Sequence, residues 1–72
     1  LALYKSILMT SNRFYNDGLA KANVRDLSGA IGSLRQSLKF NKNNIDARNL
    51  LGLIYFKTVV IKTIGSHQNP LI

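Results

Sequence analysis

The chain has no cysteine, and over only 72 residues that absence governs how it can hold a fold. Domains this short bury a modest share of their apolar surface and lean on disulfides, a metal, a partner or very regular packing. Disulfides and thiolate metal sites are excluded outright. With one histidine, His67, a zinc site would have to rest on carboxylates, and only Asp17, Asp26 and Asp46 are available. No metal or other cofactor is expected, which leaves regular helix packing, association, or both.

The apolar residues support helix packing. Leu3, Tyr4, Ile7, Leu8, Phe14, Tyr15, Gly18, Leu19 and Ala22 recur at three- and four-residue steps, predicting one amphipathic helix from Leu3 to about Asn23. Asp26 is suited to cap a second helix, because its carboxylate can accept first-turn amides. Leu27, Ala30, Ile31, Leu34 and Leu38 form the apolar stripe of that helix, and Arg35 and Lys39 sit towards its negative end. Asn41-Lys42-Asn43-Asn44 reads as a polar turn whose last residue caps a third helix, with Asp46 in its first turn. Ala47, Leu50, Leu51 and Ile54 form the inner stripe there, while Leu53 and Phe56 fall on roughly the opposite side and ask for a further neighbour. Beyond Lys57 the run Thr58 to Ile64 is rich in β-branched residues, and Gly65 and Pro70 punctuate the end. The expected fold is therefore all-α: a helical hairpin over about 3–40, a third helix at 45–57, and an irregular tail over 58–72.

Comparison of the chain with itself adds a period. Gly18 and Gly52 lie 34 residues apart, each inside the first helix of a would-be helix pair. Around them stand Phe14, Ala30 and Leu34 in the first copy, and Leu51-Gly52-x-x-Tyr55 in the second. Small residues let backbones approach, and large ones fill the hollows beside them. In these features the chain resembles tetratricopeptide-repeat proteins, bacterial ones in particular, over about residues 11–57. The resemblance implies one full repeat at 11–44 and a broken second repeat from 45, with Phe14, Gly18, Ala30, Leu34, Leu51, Gly52 and Tyr55 as repeat-packing residues. Asp17 and Lys21 replace a leucine and a tyrosine usual in the family, and Arg48 stands at an aromatic position. Val59 occupies the place of a turn glycine, and Ile64 that of a small alanine. With Leu1 in place of methionine, these departures suggest a piece of a longer array, truncated or frame-shifted after Lys57.

The family likeness implies a scaffold that binds a peptide or helix in a groove lined by the first helix of each repeat. The matching positions are Asn12, Tyr15, Asn16, Leu19 and Asn23 in repeat one, then Asp46, Asn49, Leu53, Phe56 and Lys57 in repeat two. Asparagine suits such a groove because it both donates to and accepts from a partner backbone, and the apolar members can anchor. The same asparagines also read as plain solvated helix surface, and Leu53 and Phe56 as residues packed on a missing neighbour.

Charge leaves a second reading open. Ten Lys and Arg against three Asp give a net charge of +7, which attracts acidic proteins or nucleic acid. The cations form no run, and most of the six aromatic residues fall at positions expected to be interior. An acidic protein partner is therefore the first expectation, a basic RNA- or DNA-binding module the alternative, and self-association through Leu53 and Phe56 a further one. A fragment with no function of its own is the plainest alternative.

No enzyme is expected. Ser66 and His67 adjoin without a nearby carboxylate, and Gly29 and Gly32 lie in a helical pattern without the features of a phosphate loop. The absence of cysteine and of a membrane-length apolar run fits a cytoplasmic protein.

Overall fold

A computed structural model describes residues 2–71, with the side chains of Ala2 and of 65–71 left aside. Three helices follow in order, α1 (Ala2–Asn23), α2 (Leu27–Phe40) and α3 (Ile45–Leu71). Helix α1 packs mainly on α2 and α2 on α3, so the hairpin and third helix read from the apolar stripes are both present.

The helix ends explain themselves. At the close of α1 the Asp26 amide donates to the Lys21 carbonyl (2.8 Å) and the Arg25 amide to that of Ala22 (3.0 Å). This bond pair is the Schellman stop, and it holds Arg25 at φ 65°, a left-handed conformation usually given to glycine. Asp26 then caps α2 as expected, its carboxylate accepting the Gly29 amide at 3.0 Å. In the next turn the Asn41 side chain accepts from the Asn43 amide (3.1 Å), and Asn44 caps α3 by accepting from Ala47 (3.1 Å).

The core is small. Ala30, Leu34, Ala47 and Ile54 are buried, with Tyr15, Ala22, Leu27, Ile31, Leu38, Leu50 and Leu51 packed around them. The inner stripes of α2 and α3 are thus where the periodicity places them. The start of α1 is not, since Leu3 and Tyr4 are 74 % and 65 % exposed. Phe14 already lies opposite Phe40, the last residue of α2, with ring centroids 5.7 Å apart, so the first turns of α1 overrun their cover.

The expected irregular tail over 58–72 is corrected. Helix α3 continues from Lys57 through to Leu71, and only Ile72 of that stretch lies outside the described residues. The reason is local: no glycine or proline interrupts the chain between Gly52 and Gly65. β-branched residues cost only a few tenths of a kcal/mol each in a helix already under way. Val59 lies within this unbroken run.

Candidate protein-docking surface

Where α1 crosses α2, Gly18 is buried, and a methyl group there would stand 2.7 Å from Leu34 Cγ and 2.9 Å from its Cδ2. Gly18, Ala30 and Leu34 therefore meet at the crossing, while Phe14 stacks on Phe40. The second copy differs. Leu51 is half-buried against the core, but Tyr55 is exposed and a methyl group on Gly52 would meet nothing within 4 Å. The assignment of Gly52 and Tyr55 as packing residues is corrected, because both are exposed and among the described residues only open space surrounds Gly52.

An opposite sign follows for two glycines 34 residues apart. Gly18→Ala is expected to destabilise by about 1–3 kcal/mol through overpacking. Gly52→Ala is expected to stabilise by about 0.5–1 kcal/mol through helix propensity alone. Urea denaturation of both variants checks this.

The crossing also contains a polar lock that no apolar pattern announces. Ser11 and Ser37 are fully buried and donate to each other's backbone carbonyls, at 2.8 and 2.7 Å. The Asn44 amide donates to Ser11 Oγ (3.1 Å), Ser37 Oγ (3.3 Å) and Asn12 Oδ1 (3.4 Å). Among the described residues no buried side-chain nitrogen or oxygen is without a partner. Asn44 thus fastens the start of α3 to the α1–α2 crossing while capping its own helix.

A second polar set lies two turns along. Lys21 Nζ is 2.7 Å from the Asp17 carboxylate and 3.2 Å from Ser33 Oγ, and Ser33 also donates to Asp17. Asp17 and Lys21 therefore tie α1 to α2 through Ser33. The bond from Lys21, then that from Ser33, hold the Asp17 carboxyl below its usual range, against a weaker opposing effect of desolvation. A depressed carboxyl stabilises the fold above its unfolded pKa, and that contribution is lost as pH falls through the lower, folded value. Acid titration should therefore destabilise the native chain more than Asp17→Asn. Equal acid sensitivity would show that the contact contributes nothing measurable.

The residues expected to line a groove are mostly on the surface. Asn12, Asn16, Leu19 and Asn23 are exposed along one face of α1, while Tyr15 is half-buried against the core. On α3, Asp46, Asn49, Leu53, Phe56 and Lys57 are exposed, Leu53 at 50 % and Phe56 at 66 %. Asn12 meets Asn44 at the start of α3, and Asn23 shares a cleft with Lys57 a few turns on, so α1 and α3 run in the same direction. That cleft brings two of the expected residues together. Phe56 falls roughly 160° round the helix from buried Ile54 and points away from the core.

The aromatic residues need a further correction. Tyr4, Phe40, Tyr55 and Phe56 are exposed, and only Phe14 and Tyr15 are half-buried. Helix pattern indicates which side of a helix is apolar, but not whether anything covers it. The exposed rings are scattered, with Tyr4 near one end of α1 and Phe40 stacked on Phe14.

The Ser66 and His67 side chains lie outside the described residues. Among the described residues no three His, Cys, Asp or Glu come together, and no helix is long and apolar enough to cross a membrane. No protein-family model, curated protein or solved structure matches the chain.

Proposed function

We propose that the chain is a non-catalytic helical scaffold of tetratricopeptide-repeat type that binds another protein along the side shared by α1 and α3. The observation that carries this reading is the apolar surface of α3. Leu53, Phe56 and Ile64 are each at least half exposed and share one side of α3, within an arc of roughly 80°. Contiguous exposed apolar surface marks interaction sites in stable proteins. The net charge of +7 decides the kind of partner. Two copies of this chain repel one another, whereas an acidic protein is attracted.

Fluorescence anisotropy with labelled amphipathic helical peptides, acidic and basic, at low and high salt tests the reading. Acidic peptides are expected to bind, to keep much of their affinity in high salt, and to lose it with Leu53→Ser. Binding of a mixed-sequence oligonucleotide that collapses steeply with salt would favour the nucleic-acid alternative. Concentration-dependent dimerisation without peptide binding would favour self-association.

A further inference from the structure

We infer that the cleft between the end of α1, the start of α2 and the middle of α3 is the specificity pocket of that surface, taking an acidic side chain together with an apolar one from the partner. This rests on the protein-binding reading above. The cleft measures about 510 Å³ and is lined by Ala22, Asn23, Arg25, Leu27, Lys57 and Ile61.

Its floor is apolar for a reason that lies in the fold. Ile61 stands two turns beyond Ile54 on the same side of α3, yet it is 60 % exposed while Ile54 is buried. The core-facing stripe of α3 runs on past the point where the α1–α2 hairpin covers it. Ala22 and Leu27 supply the facing apolar walls.

Its rim is cationic, and among the described residues no carboxylate pairs with it. The one ion pair among the described residues joins Lys21 to Asp17, away from the cleft. Asp26 is engaged with the Gly29 amide, and Asp46 lies in the first turn of α3, more than two turns before Lys57. Arg25 and Lys57 therefore line the cleft without an ion-pair partner among the described residues. The backbone of Arg25 is held by the bonds that end α1, so one cation is anchored on a fixed main chain. Asn23 adds a group that can both donate and accept. Two cations above an apolar floor select a carboxylate flanked by an aliphatic or aromatic side chain. A phosphate backbone would use the cations and leave the floor empty.

The probe is a fluorescent hexapeptide alternating leucine and glutamate, titrated into the full ¹⁵N-labelled chain. Controls replace leucine by alanine, or glutamate by lysine, and a mixed-sequence oligonucleotide is run beside them. The amides of Ala22 to Leu27 and Lys57 to Ile61 are expected to shift saturably with the first peptide only. Arg25→Gly and Lys57→Gln should each weaken binding by about fivefold. Glycine suits the left-handed backbone at position 25, so Arg25→Gly removes the cation without threatening the fold. Unchanged affinity in both variants, with loss in Leu53→Ser, would overturn the cleft and leave the scaffold reading standing. An equal response to the alanine peptide or to the oligonucleotide would also overturn it, in favour of a general polyanion site. No shift with any probe would overturn the cleft and leave the broader reading to the helical-peptide titration.

Discussion

Leu34→Ala is expected to destabilise the chain by about 2–5 kcal/mol, the range for emptying a fully buried leucine site. Leu34 has no exposed surface and lies directly over Gly18. A domain of this size has a total stability of only about 4–10 kcal/mol, so a large part of the folded population is at stake. The pair gives a sharper result than the single variant. Gly18→Ala adds a methyl group where Leu34 crowds it, and Leu34→Ala vacates that space. The double variant should therefore be more stable than the sum of the two losses by about 1 kcal/mol or more. Strict additivity in urea denaturation would mean that the two residues do not touch.

The second large effect belongs to Asn44. Asn44→Ala removes the α3 cap, worth about 1 kcal/mol, and deprives two buried hydroxyl groups of a donor, for a combined loss of about 2–4 kcal/mol. Asn44→Asp separates the two contributions. Aspartate can still accept the Ala47 amide, which Asn44 accepts at 3.1 Å, but it cannot donate to Ser11, Ser37 or Asn12. If the lock matters, Asn44→Asp remains destabilised despite an intact cap. Recovery of native stability in Asn44→Asp would reduce the role of Asn44 to capping.

These two residues also show what was legible in the sequence. Leu34 belongs to an apolar stripe, and Gly18, Ala30 and Leu34 stand out because close backbones need small residues opposite large ones. Asp26 and Asn44 announce themselves as caps because their short polar side chains satisfy first-turn amides. Ser11 and Ser37 carry no such sign. Serine in a helix reads as a weak former and a surface residue, and its burial depends on a partner 26 positions away. A serine on the interior side of each helix, together with a capping asparagine, was the available signal.

The other differences share one cause. Periodicity assigns faces, but cover depends on where neighbouring helices end. Leu3 and Tyr4 lie beyond the end of α2, Gly52 and Tyr55 are exposed on α3, and Ile61 emerges past the hairpin. In the candidate site, the asparagines and Leu53 were readable as surface positions from helical geometry. The cleft was not readable, because Arg25, Leu27 and Ile61 meet only through tertiary packing and the unbroken course of α3. Propensity suggested an end near Lys57. Continuation prevailed because adding a residue to an existing helix requires no new nucleation.

The most direct test of the account is far-ultraviolet circular dichroism of the whole chain during heating, in moderate salt. A strongly helical spectrum and one cooperative melt are expected, because a continuous core and two polar ties join the three helices. A weak helical signal that fades without a transition would contradict it, and would assign the fold, and the binding surface with it, to a longer array.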